Sequence, residues 1–125
     1  MTKRAITAAP LEALGPYSLA IEDDGTLNIS GQIHIDPSKG GLVEGSIGDQ
    51  TRQCLENLKS VLTSAGYDFG NIVKTTVFLV DMADFPAMNE VYATYMVEPF
   101  PARSTIQVAG LPLGARVEIE AIAKR

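Results

Sequence analysis

Residues 71–81, NIVKTTVFLVD, form an almost unbroken apolar and β-branched run. Such side chains favour pleated backbone, and a run this apolar suits a strand in the middle of a sheet. Helix-period stretches flank it on both sides. In SIGDQTRQCLENLKSVLTSAG, Ile47, Cys54, Leu55, Leu58, Val61, Leu62 and Ala65 fall on one stripe. Ser46 is the expected N-cap, with Asp49 three residues later, and Gly66 the expected stop. Arg52, Gln53, Glu56 and Lys59 fall on the water side. After the strand, Phe85, Met88, Val91, Tyr92, Tyr95 and Met96 draw a second stripe. Asp84 is its expected cap, Pro86 suits the first turn, and Pro99 and Pro101 end it.

The remaining strands frame these elements. GPYSLAIEDDGTLNISGQIHID reads as a hairpin of Tyr17–Glu22 and Thr26–Ile33 around an EDDG turn, with a loop over Pro37–Gly41. Ser104–Val108 and Arg116–Ala123 are two further strands, joined through AGLPLGA. The order ββαβαββ predicts one α/β (α+β) domain over 1–125, a mixed sheet with two helices on one face. Two helices cannot cover both faces of a sheet this wide. In RVEIEAIA the period of two puts Val117, Ile119, Ala121 and Ala123 on the helix side. Arg116, Glu118, Glu120 and Ile122 share the other side. Periodicity alone leaves that face open to two readings, a solvated surface or a subunit interface.

Much chemistry is excluded. The net charge is −5, and the ten cations are scattered, with no basic run longer than a dipeptide, which disfavours a nucleic-acid partner. No apolar run approaches membrane-spanning length, so no membrane partner is expected. MTKRAITAAP has no apolar stretch after its cations, so no secretory signal is expected. The single cysteine, Cys54, leaves no internal disulfide and fits a reducing compartment, so the expected location is cytoplasmic. Cys54 lies on the apolar stripe and reads as a core residue. With His34 the only histidine, no Cys/His metal set is available within one chain, and no nucleophile-elbow or phosphate-loop motif is present. His34 reads as a strand-end residue.

What remains is arginine, carboxylate and backbone. Arg103 sits in FPARSTIQVAG, stiffened by Pro101, at the mouth of a strand. A guanidinium held this way can take a carboxylate through two parallel hydrogen bonds, each contributing roughly 1.5–3 kcal/mol. The commoner fate of an arginine is a surface ion pair, and glutamates such as Glu118 and Glu120 are usually solvated.

FPARSTIQVAGLPLGARVEIEAIA resembles the signature of the RidA (YjgF) family. GPYS, SGQI at Ser30, QCLENLKSVLTSAG and VKTTVFLVDMADFPAMNEVYATYM occur in that family's order, so the resemblance spans almost the whole chain. It implies a chorismate-mutase-like fold and a homotrimer whose sheets face a central interior, with three clefts between subunits. It implies hydrolysis of reactive enamines and imines, such as 2-aminoacrylate and 2-iminobutanoate, to 2-keto acids and ammonia. No cofactor is implied, and the partner is a small imino or enamino acid. Arg103 matches the arginine that binds the substrate carboxylate, and Glu118 the glutamate that holds or activates water. Tyr17 matches a cleft tyrosine, Ser30 and Gly31 a backbone segment bordering the substrate, and Asn89 a cleft asparagine. Thr105 falls where many members have cysteine, and threonine keeps the backbone carbonyl assigned to the water. The loop MVEPFPARS is short for the family. The competing readings are a non-catalytic trimer that binds small carboxylates, and a ribonuclease or translation inhibitor.

Overall fold

In the computed structural model, which describes residues 2–125, Ile72–Leu79 of the run at 71–81 form a strand hydrogen-bonded on both sides. In chain order the strands are β1 (Arg4–Ile6), β2 (Ala20–Asp23), β3 (Thr26–Ile33), β4 (Ile35–Asp36), β5 (Gly41–Leu42), β6 (Ile72–Leu79), β7 (Ala102–Gln107) and β8 (Val117–Lys124). The helices are α1 (Ile47–Ala65) and α2 (Phe85–Tyr95). Six strands form one sheet in the order β1-β2-β3-β8-β6-β7, while β4 and β5 pair as a separate small hairpin.

This adds three short strands to the expected ββαβαββ order. β1 pairs antiparallel with β2, in a stretch with too little alternation to signal a strand. β4 and β5 bracket the expected loop. The first hairpin strand begins at Ala20 rather than Tyr17, because Gly15 and Pro16 hold the preceding residues in a turn.

Connection chirality explains why both helices lie on one face. β3 and β6 each run antiparallel to β8, so they are parallel to one another, with α1 as their crossover. β6 and β7 are parallel with α2 between them. Both crossovers step the same way across the sheet, and right-handed connections then place both helices on the same side.

Helix α1 starts and stops as its sequence dictates. The Ser46 hydroxyl accepts from the Asp49 N–H at 3.1 Å, and Gly66 takes φ 81°, left-handed backbone that glycine adopts without cost. The start of α2 differs from expectation. Asp84 makes no capping bond; a 3-10 turn over Met82–Asp84 precedes the helix, and Asp81 caps that turn by accepting from the Ala83 N–H at 2.9 Å. The Asp84 carboxylate turns instead to Arg116, 3.3 Å away.

The helix face of the sheet is the core. Val117, Ile119, Ala121 and Ala123 of β8 are buried against Leu55, Leu58, Val61 and Leu62 of α1 and Met88 of α2. Fully burying such a side chain stabilises by roughly 1.5–3 kcal/mol. Cys54 is fully buried within this cluster, and burial pushes its thiol up, so it packs as a hydrophobe. The other face carries Glu118, Glu120, Ile122 and Ile106, with Ile122 and Ile106 exposed.

Candidate active site

Strand register divides the candidate residues between the two faces of the sheet. Side chains at paired positions share a face. Arg103 pairs with Thr75, which pairs with the buried Ala121, so Arg103 belongs to the helix side. Thr105 pairs with Val77, and Val77 with Ile119, on the same side. Glu118 pairs with Phe78, and Phe78 with Ile106, on the open side.

On the helix side, α2 builds a seat for the guanidinium. Phe85, Asn89 and Tyr92 stand at i, i+4 and i+7 and so share one helix face. The Asn89 Oδ1 accepts from Arg103 Nη1 at 2.7 Å. Arg103 Cζ lies 4.7 Å from the centroid of the Tyr92 ring and 5.4 Å from that of Phe85. Such contacts place a cation within the attractive range of an aromatic face. None of the ion pairs among the described residues takes Arg103, so no protein carboxylate occupies its fork. A cavity of ≈ 390 Å³ opens beside it, lined by Asn89, Tyr92, Met96, Phe100 and Pro101 among others. Two positions along β7, the Thr105 hydroxyl is buried without a hydrogen-bond partner.

On the open side, a bulge in β3 sets the second cluster. Its pairing with β8 shifts register between Ile29 and Gln32, so Ser30 and Gly31 stand opposite Glu120 alone. A bulge leaves backbone groups outside the ladder and re-aims nearby side chains. Ser30 is fastened on the far side, its hydroxyl donating to the Ser18 carbonyl at 2.6 Å and its N–H to the Leu19 carbonyl at 2.9 Å. The Gly31 backbone runs directly beneath the Glu118 carboxylate. Tyr17 is exposed, and its hydroxyl accepts from the Leu14 N–H at 3.1 Å. A cavity of ≈ 460 Å³ is lined by Leu14, Tyr17, Ser30, Gly31, Ile33, Pro112, Glu118 and Glu120. Burial raises Glu118 above the ordinary carboxylate value, and repulsion from Glu120 raises it further. A carboxylate made more basic in this way is a better proton acceptor near neutral pH.

Within one chain the structure therefore gathers Arg103 with Asn89 in one cavity, and Tyr17, Ser30, Gly31 and Glu118 in another. The aromatic seat of Arg103 is not apparent in the sequence, where Phe85 and Tyr92 read only as members of a core stripe. Glu120 reads there as a solvated residue, but it helps raise Glu118. His34 is buried at the end of β3, with Nδ1 on the Val43 carbonyl at 2.9 Å and Nε2 accepting from the Arg116 N–H at 3.0 Å. Both ring nitrogens are thus engaged in holding backbone. Among the described residues no three of His, Cys, Asp and Glu gather as a metal site.

Comparison with known proteins places the chain in one family whose members carry two kinds of description. Residues 7–125 match the family model described as endoribonuclease L-PSP. The chain is similar to the 2-iminobutanoate/2-iminopropanoate deaminase of Mus musculus, with 55% identity over 94% of this chain and 86% of that protein. It is similar to the crystal structure of YyfA from Yersinia pestis, assigned to the conserved Rid protein family, with TM-score 0.92 and 47% identity, covering 99% of this chain and 100% of that one. It is also similar to E. coli TdcF with bound serine, with TM-score 0.90 and 38% identity over 98% of each chain.

Proposed function

The chain belongs to the endoribonuclease L-PSP family, the same RidA family that its motifs resemble, and from that premise we propose that it hydrolyses 2-enamino and 2-imino acids to 2-keto acids and ammonia. The observation that carries the reading is Arg103. Its guanidinium is seated on two rings, held by Asn89, and engaged by no protein carboxylate among the described residues. That arrangement suits a small carboxylate ligand, and 2-imino acids carry one.

The reaction needs no strong nucleophile. An enamine protonated at carbon becomes an iminium ion, the protonated imine, whose C=N carbon is already electrophilic. Arg103 holds the carboxylate. Glu118, made more basic by burial, takes a proton from water as its oxygen bonds to that carbon. The resulting carbinolamine carries hydroxyl and amino groups on one carbon. Glu118 returns that proton to nitrogen; as the C–N bond breaks and ammonia leaves, the hydroxyl gives its proton to the Glu118 carboxylate and the C=O of the 2-keto acid forms. The Thr105 carbonyl is a second acceptor for the water in this scheme. Tyr17, Ser30, Gly31 and Asn89 line the cleft. Orientation and proton transfer are the sources of rate.

Arg103 and Glu118 lie on opposite faces of one sheet, so a single chain does not bring them to one substrate. We extend the proposal to a ring of three copies, in which the Arg103 half-site of one subunit meets the Glu118 half-site of its neighbour. A head-to-tail interface repeated by a threefold axis supplies three such clefts. The open face supports this assembly, since Ile106 and Ile122 are exposed there beside polar groups. The location in this proposal is cytoplasmic, in keeping with the free, buried Cys54.

The family description raises RNA cleavage as the rival reading. His34, the chain's only histidine, has both nitrogens occupied by backbone, which leaves no imidazole for acid–base attack on a phosphodiester. Purified protein assayed side by side on 2-iminobutanoate and on RNA decides between them. Imine hydrolysis without RNA cleavage is expected; RNA cleavage alone rejects the proposal.

A further inference from the structure

Tyr92 touches both members of a cross-strand pair. Thr75 of β6 and Arg103 of β7 are register partners. The Tyr92 hydroxyl shares a 2.6 Å hydrogen bond with the buried Thr75 hydroxyl, and its ring lies under the Arg103 guanidinium with Cζ 4.7 Å from the centroid. Tyr92 and Thr75 are both buried. The hydroxyl bond anchors the far end of the ring, and buried packing holds the ring face beneath the guanidinium. Asn89, one helical turn back, holds Nη1. Arg103 stands on an edge strand, with a ladder partner on one side only, so its side chain takes its direction from α2.

We propose that Tyr92 is a positioning residue for Arg103: its buried ring presents a face that aims the fork at the ligand carboxylate. This rests on Arg103 as the carboxylate anchor. It assigns the buried tyrosine of the second apolar stripe a role in substrate affinity beyond packing. Because the ring does the work, phenylalanine substitutes for it and an aliphatic side chain does not.

The test measures kcat and KM for 2-iminobutanoate in Tyr92→Phe and Tyr92→Leu, each alone and combined with Arg103→Ala. Tyr92→Leu should raise KM roughly ten-fold with a smaller change in kcat, while Tyr92→Phe stays within about three-fold of the parent. In the Arg103→Ala background, Tyr92→Leu should add nothing further, because residues acting through one another are not additive. An unchanged KM in Tyr92→Leu, or a loss that adds in full to that of Arg103→Ala, overturns the proposal. If Tyr92→Leu does not fold, the Arg103 Nε–H resonance decides. It should be shifted upfield by the ring in the parent and in Tyr92→Phe, and an unshifted resonance overturns the proposal. Binding of 2-oxobutanoate separates this inference from the catalytic reading. A protein that binds 2-oxobutanoate through Arg103 and Tyr92 but hydrolyses no imine upholds the positioning role and rejects the deaminase.

Discussion

Glu118 occupies the space that a side chain on Gly31 would fill. A Cβ built on Gly31 lies 2.7 Å from Glu118 Cδ and 2.9 Å from Cγ, closer than real contacts allow. The bulge in β3 and the absence of a side chain at its second residue together let the carboxylate lie over the backbone. The glycine is required here by close approach and not by backbone conformation.

Gly31→Ala should therefore act on Glu118 rather than on the fold. Displacing the end of a flexible side chain is cheap, so the stability change should stay within about 1 kcal/mol. Imine hydrolysis should fall by about ten-fold or more, since a carboxylate moved by about an ångström is poorly placed for proton transfer. Thermal unfolding and steady-state kinetics on the same preparation check this. Unchanged activity would mean that the Glu118 position is immaterial.

The two glutamates of β8 should separate by pH. Burial, then Glu120, raises Glu118 above 4.5, so the acid limb of kcat/KM should lie above the ordinary carboxylate range. Glu120→Gln removes the like charge and should move that limb down, with activity at neutral pH largely kept. Glu118→Gln should abolish most activity. The sign for stability follows from linkage. A carboxyl whose folded pKa is raised favours the folded state while protonated, and that contribution is lost as pH rises through the folded pKa. Glu118→Gln should accordingly stabilise the protein at neutral pH. A limb unmoved by Glu120→Gln would contradict this account.

Arg103→Ala removes two charge-assisted bonds of roughly 1.5–3 kcal/mol each, so kcat/KM should fall by about 100-fold or more. Arg103→Lys should recover little. An ammonium has no planar fork for the carboxylate and does not stack on Tyr92 in the same way. Full recovery by lysine would show that only charge matters.

His34 predicts a pH dependence of stability unrelated to catalysis. Burial holds its folded pKa below 6.5, with the Arg116 charge adding to the effect. A group with a depressed pKa contributes stability that is intact above its unfolded value and lost as pH falls through the folded one. Protonation would also turn Nε2 from acceptor to donor against the Arg116 N–H. The unfolding midpoint should fall as pH drops below 6.5, and His34→Gln should flatten that slope. An equal slope in the variant would assign the loss to other groups.

The sequence made the elements readable where local signals agreed. The Ser46 cap, the α1 stripe, the Gly66 stop and the alternation of β8 all stand as read. Asp84 misled because a cap is a competition among neighbours: Asp81 caps the 3-10 turn before the helix, and Asp84 pairs with Arg116 instead. β1 was invisible because its pairing with β2 is a tertiary event in a short, mostly exposed segment. The candidate residues were legible as a set, but their division between two faces was not. That division follows from register across β7, β6 and β8, which no local pattern encodes.

The most direct test of the account mixes two inactive proteins. Arg103→Ala and Glu118→Gln chains, co-refolded in equal amounts, form rings in which some interfaces pair an intact Arg103 with an intact Glu118 from the adjacent chain. Random mixing leaves about a quarter of the interfaces fully intact, so 2-iminobutanoate hydrolysis should return to about that fraction of the parent rate. A mixture as inactive as its two components would contradict a site shared between subunits.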